Sequence, residues 1–222
     1  MTTTIHDLGG AQGWGAMAPS DPDEQVFGQD WEKRAFALAL LSMRLSGTSL
    51  DAFRYSMSRL DEQRYFADGY YGRWLNGAEN LLLDSAIIAP GAIDARARRI
   101  SGEDVDEPAI PEPAKPDYAP TAGGSLRVVE AEPAFAVGDR VRAKGVPASG
   151  HTRLTSYVAG REGVIDLLLP AQLLPDTHAH FQGENAQHVY SVRFSAEDLW
   201  GPGGESFDLN IDLYESYLEA VR

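Results

Sequence analysis

The chain contains no cysteine. That removes thiol nucleophiles, disulfides, cysteine-ligated zinc and iron–sulfur clusters from anything these residues do alone, and leaves the redox compartment open. Cations are scarce as well, with 19 Lys and Arg against 33 Asp and Glu and a formal net charge of −14. A polyanion is bound by clustered cations that release counterions, so the charge balance argues against nucleic acid. Long apolar runs are missing: the longest, Ala35–Leu41, falls far short of the about 20 residues that a membrane helix needs. The start, Met1-Thr2-Thr3-Thr4-Ile5-His6-Asp7, has neither the basic nor the apolar region of a secretory leader, and a cytoplasmic location is expected. What remains is a globular composition, 222 residues with 43% hydrophobic content, enough to bury a core in one medium domain or two small ones.

The pattern changes three times along the chain. Residues 1–29 mix Gly, Pro, Asp and Ser with isolated aromatics such as Trp14 and Phe27, which reads as an extended arm that packs on its own domain or wraps a partner. Residues 30–100 read as helical. Asp30 is a candidate N-cap, the run Trp31–Leu45 is rich in Ala and Leu, and a helix apolar nearly all round demands burial on several sides. Thr48 with Asp51 resembles a capping box, and Leu50, Phe53, Met57 and Leu60 recur at three- and four-residue steps. A third helix is expected from about Tyr70 to Ile88, ahead of Pro90. Residues 101–133 carry Pro108, Pro111, Pro113, Pro116 and Pro120 among acidic residues, the composition of an extended linker. From 134 to 222 the period turns to two. Val137–Ala143, Gly163–Leu169, Val189–Phe194 and Phe207–Tyr214 are strand candidates, and short strands broken by Gly and Pro suggest a small antiparallel barrel. The fold class is α+β.

Taken on their own, the residues offer no catalytic triad and no Gly-rich phosphate loop. Asp176, His178 and His180 place alternate donors in one short segment, either a metal site or, as is commoner for such pairs, an exposed polar loop. Gly9-Gly10 and Gly203-Gly204 lack the strand-loop-helix setting of a phosphate cradle and read as turns.

Two sets of motifs carry more. In the second half stand Gly150-His151-Thr152-Arg153-Leu154, Tyr157–Ile165 and His188–Gly201; in the first, Ile5–Gly10, Asp30-Trp31-Glu32-Lys33, Leu50-Asp51-Ala52-Phe53-Arg54-Tyr55 and Tyr70-Tyr71-Gly72-Arg73-Trp74. In order and spacing the chain resembles the nitrile hydratase β-subunit family. The resemblance implies an SH3-like barrel behind a helical domain and the hydration of nitriles to amides in a complex with an α subunit. In such a complex the α subunit's cysteines hold a non-corrin Co(III) or non-haem Fe(III); Trp74 points towards cobalt. An α2β2 heterotetramer and a small nitrile substrate are implied with it. Arg54 and Arg153 match the two arginines that reach oxidised cysteines of the α subunit. A guanidinium suits that task because it stays charged and presents a rigid fork of donors to buried anionic oxygens. Tyr70 matches a tyrosine whose hydroxyl lies near the reacting centre, and Leu50, Phe53 and Trp74 match residues lining the substrate pocket. Without the resemblance, Arg54 reads as a surface partner of Asp51 or Ser58, Arg153 as a loop charge, and the apolar set as core.

The chain departs from the family at three positions. Arg73 stands where relatives carry a histidine before the tryptophan, so a Tyr–His bond there is replaced or absent. Leu154 stands where a second arginine follows the Gly-His-x-Arg segment. Ala39 replaces a phenylalanine and is expected to widen the pocket towards bulkier nitriles. Rival readings are a thiocyanate hydrolase-like subunit, an accessory protein that escorts metal into the α subunit, and a free-standing interaction module.

Overall fold

The computed structural model describes residues 19, 21–114, 121–147, 149–203 and 206–221. Most of the sequence-defined arm, residues 1–18 and 20, lies outside the described residues. The chain divides into two compact units, the described residues up to 114 forming one and those from 121 onward the other.

The first unit is helical: α1 (Asp30–Ser46), α2 (Leu50–Ser58), α3 (Glu62–Phe66), α4 (Gly69–Asp84) and α5 (Ala92–Ile100). The N-cap of α1 is Gln29, one residue before the expected Asp30, and its backbone N–H donates to Glu32 Oε2 at 2.9 Å. Gly47, in the left-handed region at φ +67°, ends the helix, a conformation that a side chain would oppose. The cap of α2 is Ser49, one residue after the expected Thr48, and its hydroxyl accepts the Ala52 N–H at 3.1 Å. The third helix ends at Asp84 rather than near Ile88, and α3 and α5 are additions to the three helices expected. From the end of the arm, Phe27 packs on this unit, its ring 4.9 Å from Tyr71 and 6.0 Å from Phe36.

Helices α1, α2 and α3 all pack on α4. The buried face of α1 is a stripe of small residues, Ala35, Ala39, Ser42 and Ser46. Both serine hydroxyls are satisfied inside their own helix, Ser42 donating to Leu38 O and Ser46 to Ser42 O, each at 2.7 Å. The expectation that α1 is buried on several sides does not hold within this chain. Leu38, Leu41 and Leu45, one ridge at helical spacing, and Leu40 are about half exposed. Between α2 and α4 the backbones come closer. Ser56 Oγ donates to Gly77 O at 2.8 Å and Asn80 Nδ2 to Ser56 O at 3.1 Å. A Cβ on Gly77 would stand 2.4 Å from Met57 Cγ. None of the described helices is long and apolar enough to cross a membrane.

The second unit is a five-stranded antiparallel sheet in the order β4-β3-β2-β1-β5. Its strands are β1 (Arg140–Ala143), β2 (Glu162–Gln172), β3 (Gln187–Ser195), β4 (Asp208–Tyr214) and β5 (Leu218–Ala220), with short helices α6 (Pro175–His178) and α7 (Ala196–Trp200) and a 3-10 turn, Glu215–Tyr217. Four of the five strands sit where alternation placed them; β5, too short to show a period, was not foreseen. The hydrogen-bonded sheet is open, with β4 and β5 as its edges, so the ladder does not close the expected barrel. It is bent nonetheless. The β2–β3 register shifts twice, and Gly163 sits where a Cβ would meet Val192 Cγ1 at 2.7 Å and Arg193 O at 2.8 Å. One core under the sheet gathers Val141, Ile165, Tyr190, Val192, Phe194, Leu213 and Tyr217. At its centre the Tyr190 hydroxyl donates to Glu215 Oε2 at 2.5 Å. Burial first, and that carboxylate second, push its pKa up to about 12.

The stretch read as linker behaves differently at its two ends. Residues 101–114 contain no helix or strand, and Glu107 turns back to Arg96 and Arg99 on α5. Residues 121–127 are pinned to the sheet unit. Leu126 bridges Gln172, Arg127 N–H donates to Ala171 O at 2.9 Å, and the Arg127 guanidinium grips both oxygens of Glu184, at 2.7 Å and 2.5 Å. That pair is almost entirely shielded from solvent, and the Thr121 hydroxyl and N–H add to it.

Two stability predictions follow from these contacts. Gly77→Ala should destabilise the protein by about 1–3 kcal/mol through overpacking against Met57, read as a lowered midpoint of thermal unfolding; an unchanged midpoint would mean that Met57 yields freely. The Arg127 hydrogen bond holds the Glu184 pKa down from 4.5 to about 2. A depressed acid contributes stability that is complete above its unfolded value and lost as pH falls through its folded one. Urea unfolding should therefore show wild type exceeding Glu184→Gln by a constant margin above a pH of 4.5 and by a shrinking one towards about 2. A margin independent of pH would exclude the ion pair as its source.

Candidate functional site

Helix α2 sets the first group of candidate residues. Its spacing puts Leu50 and Arg54 one turn apart on the exposed side, while Asp51, Ala52 and Phe53 face inward. Arg54 Nη1 donates to Asp51 Oδ1 at 3.2 Å, the arginine half exposed and the aspartate 92% covered. A buried carboxylate thus holds one terminal nitrogen of a half-exposed guanidinium, more than the ordinary surface pair expected from spacing alone.

Helix α4 supplies the second group. Tyr70 and Trp74 are one turn apart with rings 5.7 Å apart. Trp74 also meets Phe53 edge-on at 5.5 Å and Phe36 of α1 at 5.5 Å. Three helices therefore converge on the Trp74 indole. Tyr70 is 57% exposed and Leu50 48%, whereas the Phe53 side chain is completely enclosed. Phe53 accordingly lines no open surface in this chain and acts as the backing of Trp74. Phe36 and Tyr71 belong to the same cluster. Sequence reasoning did not single them out, although Tyr71 adjoins Tyr70 and Phe36 lies inside the apolar run.

The departures also resolve in space. Arg73 lies with its guanidinium 4.1 Å from the Tyr65 ring centroid and donates through Nε to Tyr65 O at 3.2 Å, so it is tied to α3 and not to Tyr70. Leu154 is a core residue of the sheet unit, where an unpaired arginine would be costly. Ala39 is completely buried, so it opens no pocket, and the expected widening is corrected. Ala39→Phe should instead destabilise the chain by about 1–3 kcal/mol, because extra volume in a closed helix seam must displace neighbours. Denaturant titration checks this; an unaltered midpoint would mean that space exists beside Ala39.

Arg153 belongs to the sheet unit. It lies between buried Thr152 and buried Leu154 and is itself exposed. Its guanidinium makes no ion pair among the described residues. Its backbone is held firmly: the Arg153 N–H donates to Tyr217 Oη at 3.1 Å, and the Thr152 hydroxyl reaches the same oxygen at 3.3 Å. The Tyr217 hydroxyl in turn donates to Asp176 Oδ1. Burial raises the Asp176 pKa, partly offset by hydrogen bonds from Tyr217 and Thr152; burial and then Asp176 raise that of Tyr217. Gly150, at φ +88°, brings the loop against His180, whose Nε2 accepts the His151 N–H at 2.9 Å. The Asp176, His178 and His180 segment is thus a brace for the 150–154 loop. Its Asp176 and His180 acceptors are engaged there, and no metal-binding group of three or more His, Cys, Asp or Glu occurs among the described residues.

Comparison with known proteins identifies the family. The family profile described as nitrile hydratase beta subunit, N-terminal, matches residues 1–121, and that described as nitrile hydratase beta subunit, C-terminal, matches residues 124–220. The nitrile hydratase subunit beta of Pseudomonas putida is 35% identical over 217 residues, covering 97% of this chain and 98% of that one. The low-molecular weight cobalt-containing nitrile hydratase subunit beta of Rhodococcus rhodochrous is 35% identical over 227 residues, with 96% and 97% covered. A shorter match, 35% over 88 residues, links 38% of this chain to 70% of the thiocyanate hydrolase subunit alpha of Thiobacillus thioparus. The chain belongs to the nitrile hydratase β-subunit family.

Proposed function

We propose that this chain is the β component of a cytoplasmic nitrile hydratase, working with a cysteine-containing α subunit in an α2β2 assembly to convert nitriles to amides. The observation that carries the reading is the exposed Arg54, anchored by buried Asp51, on the helix that also backs Trp74 through Phe53. The nearly full-length likeness to nitrile hydratase β subunits supports it. We read the open, bent sheet as the SH3-like type.

Cysteine is absent from the chain, and no group of three or more His, Asp or Glu that could hold a metal occurs among the described residues. In this reading the metal, cobalt by preference since relatives are named for it, or iron, is held by the α subunit, where it supplies Lewis acidity towards the nitrile. The chain's own residues preorganise. Arg54 and Arg153 each offer a positive donor to anionic oxygens across the subunit interface, where donors already aimed at charge lower the reorganisation that reaction requires. Trp74, backed by Phe53 and flanked by the Tyr70 ring, and exposed Leu50 offer apolar surface to the nitrile. The half-exposed leucines of α1 supply apolar area for a permanent subunit interface.

The shorter likeness to a thiocyanate hydrolase subunit favours a second reading, the same scaffold acting on thiocyanate. Co-expression with its cysteine-containing partner separates them by assay on a nitrile and on thiocyanate. In the nitrile assay, Arg54→Lys and Arg153→Lys should each lower kcat by about tenfold or more, since a single donor to developing charge contributes on that scale. Full activity in both variants would remove the catalytic-subunit reading.

A further inference from the structure

The Arg153 side chain is long, exposed and free of ion pairs among the described residues, so its backbone alone sets where it starts from. Such a side chain carries about 2 kcal/mol of rotamer entropy, and a fixed Cα–Cβ vector is what narrows its reach. Thr152 and Leu154 on either side are buried, which turns Arg153 outward. The backbone at this point is anchored through one atom. Tyr217 Oη accepts from the Arg153 N–H and faces the Thr152 hydroxyl, and it spends its own proton on Asp176.

Resting on the reading of Arg153 given above, we propose that Tyr217, braced by Asp176, is a positioning residue that presents the Arg153 guanidinium to the partner subunit. Three features distinguish this from simple packing. Tyr217 lies in the sheet core, only 5% exposed, where its ring alone would satisfy the apolar environment set by Tyr214 and Leu218. Its hydroxyl is nonetheless committed to the 150–154 loop. Asp176 comes from α6, 41 residues away in sequence, so two separate elements converge on the single residue pair Thr152–Arg153. The carboxylate orients the hydroxyl, leaving the tyrosine oxygen lone pairs directed at the Arg153 N–H.

Tyr217→Phe keeps the ring and deletes the oxygen. In the full chain, hydrogen exchange at the Arg153 amide should rise by about tenfold or more while β3 amides stay protected, because only the local opening is made easier. In the αβ complex, Tyr217→Phe should lower kcat by about fivefold beside Arg153 but by less than about twofold beside Arg153→Lys, the signature of one residue acting through another. Asp176→Asn, which retains an acceptor, enters the same cycle should the phenylalanine variant fold poorly. Unchanged exchange at Arg153, or equal losses in the two backgrounds while Arg153→Lys is itself impaired, overturns the positioning role and leaves the role of Arg153 standing. Wild-type kcat in Arg153→Lys overturns both.

Discussion

The close seam between α2 and α4 is the constraint on which the helical unit turns. Gly77 has no side chain, Ser56 fills the gap with a hydroxyl bonded to the Gly77 carbonyl, and Asn80 returns a bond to the Ser56 carbonyl. That contact lets the two helices approach closely, since Met57 already lies against the place where a Cβ would stand. The Phe53–Trp74 contact and the position of Arg54 above it are consequences of the seam. A helix pair held by branched side chains would sit farther apart, and the indole would lose its edge-on neighbour.

The sheet unit solves a related problem with different chemistry. Two tyrosines in its core, Tyr190 and Tyr217, each give their hydroxyl proton to a carboxylate outside the strands, Glu215 and Asp176. Each pair fastens a loop whose backbone would otherwise be unsupported: Glu215 also accepts the Ala134 N–H, and Tyr217 holds Arg153. The Arg127–Glu184 pair does the same for residues 121–127. Irregular segments are tied to a regular core by buried, paired polar groups, the one arrangement in which burying them is not heavily penalised.

Much of this was legible in the sequence where local physics decides. The steps from Leu50 through Phe53 to Met57 mark α2 because helical period is a property of neighbouring residues, although the cap is Ser49 and not the expected Thr48. Alternation at Val189–Phe194 marks β3 for the same reason. Arg54 and Phe53 follow from that helix with opposite exposures. The failures are non-local. The leucines of α1 look like core until the serines Ser42 and Ser46, self-satisfied within the helix, are seen to occupy the seam instead. Ala39 reads as space left open by a small side chain, whereas its surroundings have closed around it. Strand β5 is three residues long, below any period, and exists because β1 offers it an edge. No spacing rule joins Tyr217 to Asp176 and Arg153, since only the folded sheet brings them together.

The leucine ridge of α1 has a bearing on how the protein behaves in the absence of a partner. Leu38, Leu41 and Leu45 form an adhesive strip, and what keeps two such strips apart in solution is the mutual repulsion of molecules that each carry a net charge of −14. Repulsion of that kind acts over about 10 Å at 0.1 M salt and over about 3 Å at 1 M, while attraction between apolar surfaces is not weakened by salt. The isolated chain is therefore expected to stay dispersed in dilute buffer and to self-adhere in brine or near its isoelectric point.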